Sequence, residues 1–190
     1  NPEDGYGWEK LFSERMCKHF YEDYSLDTKV ARYHNIFGTF GTYDGGREKS
    51  PAALCRKIVE AKINKKGSIE VWGDGNQTRS YLYIDDCVDA TLSFFNSKYN
   101  GPINIGSEEQ VSINQMIDII EGIADYKVKR VYNKNMPVGV IGRSSNNSKI
   151  REELSWEPNF DLKTGLEKTY KWIYNMISNN KNSKTIFTLI

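Results

Sequence analysis

The sequence predicts an α/β fold, and two observations carry that prediction. Its 190 residues, of which 38% are hydrophobic, suit one domain with a buried core. Runs of β-branched and aromatic residues alternate along the chain with runs whose apolar residues recur at helical spacing. Such alternation of strands and helices is typical of α/β proteins.

The first predicted helix opens the chain. Apolar and aromatic residues at helical spacing predict it over residues 6–24, and the β-rich run 28–34 predicts a strand after it. Ser50 has the character of an N-cap and Pro51 that of a first helical residue. A second helix is therefore expected to end near residue 64.

The middle of the chain predicts two strands and a helix. The β-rich segments 68–72 (SIEVW) and 79–84 (RSYLYI) are expected to be strands. Between them, residues 73–76 (GDGN) have the composition of a turn. Asp85 is the predicted N-cap of a helix that ends near residue 95.

The last third continues the alternation. Residues 103–106 form a predicted short buried strand, and Ser112 with Gln115 forms a capping box ahead of a helix with one apolar face. The remaining predicted elements are a strand over 127–132 and helices over 148–154 and 163–176.

Composition excludes several classes of function. With 26 basic and 25 acidic residues the net charge is +1, which lacks the strong basic field of a nucleic-acid-binding domain. Apolar runs all fall short of the ~20 residues that cross a bilayer. The three cysteines, without CxxC spacing, disfavour a disulfide framework or a zinc ribbon and fit a reducing compartment. We expect a cytoplasmic protein without a metal, nucleic acid or membrane partner.

Tyr6 and Lys10 form a YxxxK pair on the first predicted helix. Residues four apart share one helix face, and a lysine cation beside a phenol favours the phenolate. Such a tyrosine can take a proton from a sugar hydroxyl while hydride leaves the same carbon. The alternative is a chance pair, in which Tyr6 packs and Lys10 is solvated. Because this helix opens the chain, we expect further sequence upstream of Asn1.

Five further sequence segments follow the YxxxK pair, and their order along the chain matters as much as their residues. They are ARYHNIFG, GDGNQTRS, YIDD, NIGS and LSWEP, beginning at residues 31, 73, 83, 104 and 154. Together these six segments resemble the C-terminal part of extended short-chain dehydrogenase/reductases that act on nucleotide sugars. The resemblance implies that residues 1–44 end a Rossmann-type domain and carry the YxxxK helix. It also implies that residues 45–177 are mainly a smaller α/β nucleotide-sugar-binding lobe with returning Rossmann elements. From its composition, the segment 178–190 is predicted to be a polar tail.

Three stretches are more specific within that family. NPEDGYGWEK, RYHNIFG and GGREKSPAA resemble the GDP-mannose 3,5-epimerase group, although Thr39 and Asp44 depart from its usual residues. The resemblance implies NAD as cofactor, GDP-mannose as substrate and a homodimer of the full-length protein. It also implies oxidation at C4 to a 4-keto sugar, whose C3 and C5 hydrogens become acidic, and inversion by an acid/base pair.

The resemblance implies specific catalytic residues. Tyr6 and Lys10 serve the hydride step and contact NAD, and Lys49 is the lysine of the acid/base pair. The partner of Lys49 is a cysteine upstream of Asn1, and none of the three cysteines of this chain matches it. The alternative for Lys49 is a solvated charge in the loop that follows two glycines.

The resemblance also implies substrate contacts. Arg79 and Arg143 match arginines that bind the diphosphate, with Ile141 where the group has a further cation. Contacts to the substrate or its nucleotide are implied for Asn35, Glu48, Lys57 and Gln77. The alternatives are a surface ion pair for Arg79 and an Asx turn for Asn35. We expect Trp72 to be a core residue rather than a stacking platform, and we assign no role to the two histidines.

Two other functions stay open. The chain could belong to another NAD-dependent nucleotide-sugar 4-epimerase or 4,6-dehydratase, which lack the GGREKxPAA segment, or be a non-catalytic nucleotide-sugar-binding fragment. The GxxGxxG fingerprint that lets backbone approach a dinucleotide pyrophosphate is absent from the sequence. The Gly73-x-Gly75 pair precedes a predicted strand and does not replace it. We therefore expect the 190-residue chain alone not to turn over a nucleotide-sugar substrate.

Overall fold

Helices and strands alternate along the chain, as predicted. The structure, a computed structural model, describes residues 2, 4–137, 139 and 141–180. The helices are α1 (Gly5–Tyr24), α2 (Ser50–Ile63), α3 (Ile84–Asn96), α4 (Ile113–Ala124), α5 (Ser148–Leu154) and α6 (Leu162–Asn180). The strands are β1 (Ala31–Tyr33), β2 (Ile36–Phe37), β3 (Ser68–Trp72), β4 (Thr78–Ser80), β5 (Leu82–Tyr83), β6 (Ile103–Ile105), β7 (Gln110–Ser112), β8 (Lys129–Asn133) and β9 (Gly142–Arg143).

Parallel pairing dominates the sheets. Strand β1 pairs with β6, β2 with β5 and β3 with β8, all parallel. Strand β4 lies between β7, which is antiparallel to it, and β9, which is parallel to it. Parallel strands joined through helices are the α/β arrangement that the sequence predicts. Their carboxyl ends are the usual place for ligands in such sheets.

The main core lies between α2, α4, α6 and the strands beside them. Ile58, Met116, Ile120, Leu166 and Ile173 are completely buried there. The apolar face predicted for α4 is the face that packs into this core. A second cluster joins α3, β5, β6 and α5.

The start of α4 confirms the predicted capping box. The Ser112 hydroxyl accepts from the backbone N–H of Gln115, and the Gln115 side chain accepts in return from the Ser112 N–H. Two other predicted N-caps are wrong. Helix α2 begins one residue early, with Lys49 as its N-cap, because the Lys49 carbonyl already accepts from Ala53 at 3.0 Å. Tyr83 is the N-cap of α3, which leaves Asp85 in the first turn, where the helix dipole favours a carboxylate.

Several element boundaries also differ from the prediction. The strand expected over 79–84 is two strands, because β4 pairs with β7 and β9 whereas β5 pairs with β2. Strands β2, β7 and β9 were not predicted, since two or three residues are too few to show a period. Helix α6 continues through residues 178–180, and residues 181–190 of the predicted tail lie outside the described residues.

All three cysteines are free. Cys55 and Cys87 are buried, as expected for small hydrophobic residues, and burial raises the pKa of both thiols. Cys17 is half-buried. Within the described residues no group of three or more His, Cys, Asp or Glu side chains is placed to hold a metal ion. Of the described helices, none has the length and apolar character that a membrane span requires.

The Tyr170 side chain lies in the main core with its hydroxyl unsatisfied. That hydroxyl has no hydrogen-bond partner among the described residues, and burial raises the pKa of Tyr170 to about 12. A buried hydroxyl without a partner opposes folding. We expect Tyr170→Phe to leave the free energy of unfolding unchanged or raise it by up to ~1 kcal/mol.

Tyr126 provides the matched control, because its hydroxyl donates to the Lys66 carbonyl at 3.0 Å. We expect Tyr126→Phe to lower the free energy of unfolding by roughly 0.5–1.5 kcal/mol. Urea titration of both variants measures the difference. A larger loss for Tyr170→Phe than for Tyr126→Phe would show that the Tyr170 hydroxyl does have a stabilising partner.

Candidate functional site

The carboxyl ends of β3 and β8 form one side of the candidate site. Trp72, the last residue of β3, lies opposite Asn133, the last residue of β8. Lys57 of α2 reaches this end, where its Nζ donates to the Glu70 carbonyl at 2.8 Å and lies 6.0 Å from the centre of the Trp72 ring. Burial lowers the pKa of Lys57. Gln77 joins the group by donating its Nε2–H to the Trp72 carbonyl at 3.1 Å.

Trp72 corrects a prediction. It was expected in the core, but it is 45% exposed. The reason is the strict alternation of β3, in which Ile69 and Val71 point inward and Trp72 therefore points outward. That alternation is visible in the sequence and is the signal that could have identified Trp72 as a surface residue beside Lys57.

A tight turn connects β3 to β4 and fixes the position of Gln77. The Asp74 carboxylate accepts from the Asn76 N–H at 2.9 Å, which lowers the pKa of Asp74. Gly75 has a φ of 78° and faces the Asn114 side chain, whose amide group would lie 2.4–2.6 Å from an added Cβ. Only glycine fits this position without displacing Asn114.

The two predicted diphosphate arginines are neighbours. Arg79 on β4 and Arg143 on β9 are register partners in a parallel pair. Residues opposite one another in register present their side chains to the same face of a sheet. Arg79 is half-buried and its Nη1 donates to the Thr78 carbonyl at 2.7 Å, whereas Arg143 is exposed. Ile141, at the position where the resemblance implies a further cation, is 89% exposed.

The end of β1 lies close to this arginine pair. His34 follows β1 and is half-buried; burial, and then the nearby Arg143 guanidinium, lower its pKa. Asn35 has a φ of 45°, in the left-handed region, and its side-chain amide donates to the Ser80 carbonyl at 3.0 Å. Asn35 thus joins the end of β1 to the end of β4, the strand that carries Arg79.

Lys49 lies at the amino end of α2, and its side chain is exposed. The preceding residue, Glu48, uses both carboxylate oxygens within the chain. One accepts from Arg56 at 3.0 Å and the other from the Gly46 N–H at 2.7 Å. Burial raises the pKa of Glu48, but the backbone N–H groups and Arg56 more than offset this and hold the pKa below its ordinary value.

Tyr6 and Lys10 share one face of α1, as the spacing predicts. The Lys10 Nζ lies 5.1 Å from the centre of the Tyr6 ring, and Tyr6 is 69% exposed. Lys10 also donates to Glu9, and this hydrogen bond raises the pKa of the Lys10 ammonium. Helix α1 has no buried residue in the structure.

The structure therefore brings together two groups of predicted residues. The first, at the carboxyl ends of β3 and β8, comprises Lys57 and Gln77 with Trp72; the second comprises Arg79 and Arg143. Asn35 contacts the strand of the second group. Among the hydrogen bonds and ion pairs of the described residues, the only ones formed by the Lys10 ammonium go to Glu9.

Tyr6 and Lys10 fit the nicotinamide ribose of NAD. The sequence lacks the glycines that would bind the pyrophosphate of NAD. An exposed phenol with an ammonium over its ring is a donor set that can face a ribose and a reacting hydroxyl. No GxxGxxG segment exists anywhere in the 190 residues to let backbone approach a pyrophosphate.

Comparison with known proteins confirms the resemblance. A GDP-mannose 3,5-epimerase of Arabidopsis thaliana is 44% identical over 180 residues, which cover 95% of this chain and 46% of the relative. GDP-mannose 3,5-epimerase 1 of Oryza sativa subsp. indica is 46% identical over the same share of both chains. The chain thus spans about half the length of the curated relatives that it matches.

Solved structures agree on the fold. A UDP-glucose 4-epimerase of Thermotoga maritima, solved with UDP-glucose, has a TM-score of 0.82 and 27% identity, covering 90% of this chain and 54% of its own. A UDP-glucuronic acid 4-epimerase of Bacillus cereus, solved with UDP-glucuronic acid and NAD, has a TM-score of 0.75 and 28% identity, covering 90% of this chain and 52% of its own.

These likenesses support the Rossmann-type α/β class that the resemblance implied. The family model described as the NAD dependent epimerase/dehydratase family matches residues 1–106, more than half of the chain. The predicted cofactor, NAD, is the one in that description. This chain belongs to the NAD dependent epimerase/dehydratase family.

Proposed function

We propose that this chain comprises the YxxxK helix and the substrate-binding lobe of a GDP-mannose 3,5-epimerase, which inverts C3 and C5 of GDP-mannose through a 4-keto sugar. The observation that carries the proposal is the register pairing of Arg79 with Arg143. Two guanidinium groups on one face of a sheet offer the positive charge and the paired N–H donors that a diphosphate requires. The 44–46% identity to GDP-mannose 3,5-epimerases supports the choice of sugar nucleotide.

The remaining residues divide between the two ends of the substrate. Trp72, Lys57 and Gln77 are suited to the nucleoside, because an exposed indole offers a stacking face and the other two offer polar contacts. The sugar then lies toward Asn35 and Lys49. Tyr6 and Lys10 would hold NAD from its nicotinamide side, and the cofactor would supply reversible hydride exchange at C4 of the sugar.

The chemistry of this chain is proton transfer. Tyr6, beside the Lys10 cation, takes the proton of the C4 hydroxyl. The resulting ketone acidifies the hydrogens at C3 and C5. Lys49 exchanges a proton at these carbons on one face of the sugar, and a base outside this chain acts on the other face.

The products test the proposal. The experiment uses the full-length protein, meaning the gene product in which this chain occurs, with GDP-mannose as substrate. We expect GDP-L-galactose and GDP-L-gulose, without net consumption of NAD. Turnover of a UDP- or dTDP-sugar in place of GDP-mannose would instead identify another 4-epimerase or a 4,6-dehydratase.

We also propose that catalysis needs the N-terminal half of the relatives. Residues 1–44 then complete a Rossmann-type domain, residues 45–177 form most of the substrate lobe, and the full-length protein is a homodimer. The absence of a glycine fingerprint in these 190 residues supports this division. The purified 190-residue chain is expected to bind GDP without forming epimers, and epimer formation by it alone would contradict the division.

Removing either arginine is expected to weaken nucleotide binding. Each guanidinium contributes charge-assisted hydrogen bonds, so Arg79→Gln and Arg143→Gln should each raise the dissociation constant of GDP by about 10–100-fold. Because both bind one diphosphate, the double variant should lose less than the two single effects combined. Isothermal titration calorimetry measures these changes.

Lys129→Gln is the matched control, since Lys129 is an exposed cation at the opposite, amino end of β8. It should leave the dissociation constant within about twofold of the wild type. Unchanged GDP affinity in both arginine variants would remove the main support for a diphosphate site on this sheet.

A further inference from the structure

The loop before α2 is held from both sides by one arginine. Arg56 donates through Nε to the Tyr43 carbonyl at 2.9 Å and through Nη2 to the Glu48 carboxylate at 3.0 Å. Tyr43 and Glu48 lie at the two ends of the turn that contains Gly45 and Gly46. The planar fork of a guanidinium makes both contacts in one rigid geometry, whereas the donors of a lysine ammonium lie on a flexible stem.

The turn itself depends on that anchoring. Gly45 and Gly46 have φ values of 93° and 84°, both in the left-handed region. The Gly45 N–H donates to the Asp44 carboxylate, and the Gly46 N–H donates to Glu48, the residue that Arg56 holds. Two consecutive glycines are conformationally free in the absence of such contacts. The fixed course of residues 43–48 thus requires the Glu48–Arg56 pair.

Lys49 is the next residue, and the turn sets the position of its backbone. Its carbonyl accepts from Ala53 in the first turn of α2, so its backbone is tied to the helix on one side and to the held loop on the other. Arg56 lies seven residues later, about two helical turns along the same face. Its side chain is only 17% exposed, and Asp44, Glu48 and Glu60 surround its charge.

We propose that Arg56 is the positioning residue for Lys49: by fastening both ends of the Tyr43–Glu48 turn to α2, it sets where the Lys49 side chain begins. This inference rests on the proposed function, in which Lys49 exchanges protons at C3 and C5. A misplacement of about 1 Å in a proton-transferring group is expected to cost about 10²-fold in rate.

The test compares Arg56→Gln and Arg56→Lys with Glu60→Gln in the full-length protein. Glu60 binds the same guanidinium from within α2 and has no described hydrogen bond or ion pair with residues 43–49. The rate of deuterium uptake at C3 and C5 of GDP-mannose is measured per GDP-binding site, counted by calorimetry. We expect about 10²-fold slower uptake in both Arg56 variants, with KM within about threefold and Glu60→Gln at the wild-type rate.

Counting binding sites separates positioning from folding, because a structural loss lowers the number of sites and not the rate per site. As a second readout, amide hydrogen exchange over residues 43–49 should accelerate in both Arg56 variants and not in Glu60→Gln. A wild type without uptake at C3 and C5 would contradict the proposed function. A wild type with uptake, beside Arg56 variants of unchanged rate per site, would overturn this inference alone.

Discussion

Lys49→Ala is expected to slow deuterium uptake at C3 and C5 of GDP-mannose by about 10²–10⁴-fold in the full-length protein, which is the usual contribution of a general acid or base. Lys49 is exposed at the amino end of α2, on a backbone fixed by the turn before it and by its bond to Ala53. Its ammonium is thus available to a substrate. NMR of the sugar protons measures the uptake.

In the proposed function the step at C4 depends on Tyr6 and not on Lys49, so the variant is expected still to oxidise C4. If the Lys49→Ala variant takes up deuterium at the wild-type rate, Lys49 is a solvated loop charge and not an acid/base residue. Lys163→Ala is the control, because Lys163 is an exposed lysine in the first turn of α6 whose ammonium lies 3.9 Å from the Glu167 carboxylate. It should leave the uptake unchanged.

Asp86→Ala is expected to lower the free energy of unfolding by about 3 kcal/mol, the largest stability effect of any substitution described above. Asp86 is 1% exposed in the first turn of α3. Its carboxylate accepts from the backbone N–H groups of Asn159 at 3.0 Å and Phe160 at 2.9 Å. Alanine leaves both donors without that partner and opens space beside them.

The neighbouring Asp85 is the matched control. It is exposed and lies 3.7 Å from the Lys168 ammonium, and such surface pairs contribute little. Asp85→Ala should change the free energy of unfolding by less than about 0.5 kcal/mol. Urea titration of the 190-residue chain measures both variants. Equal effects at the two positions would mean that the Asp86 bonds to residues 159 and 160 do not hold α3 against the segment before α6.

Elements with a local signal could be predicted from the sequence. Strand β3 has an alternating pattern and a following GDGN turn, and its predicted bounds agree with the structure. The capping box of Ser112 and Gln115 marks the start of α4, because its hydrogen bonds are made within four residues. These features arise from residues that are close together in the chain, so they can be recognised from the sequence.

The arrangement of the site depends on contacts that no local pattern displays. Arg79 and Arg143 could each be selected by resemblance, but their pairing arises from strand β9, which is only two residues long. Arg56 was missed altogether, because nothing in a helical segment marks an arginine as the anchor of a loop before it. Trp72 was wrongly predicted as a core residue, although the alternation of β3 that places it on the surface is visible in the sequence.

Proton exchange at C3 and C5 is the most direct test of whether the full-length protein is a GDP-mannose 3,5-epimerase. The full-length protein is incubated with GDP-mannose in deuterated water, and the sugar hydrogens are followed by NMR. We expect deuterium at both carbons together with GDP-L-galactose and GDP-L-gulose. Protons retained at both carbons, with turnover of a UDP- or dTDP-sugar, would contradict this expectation and leave only membership of the NAD dependent epimerase/dehydratase family.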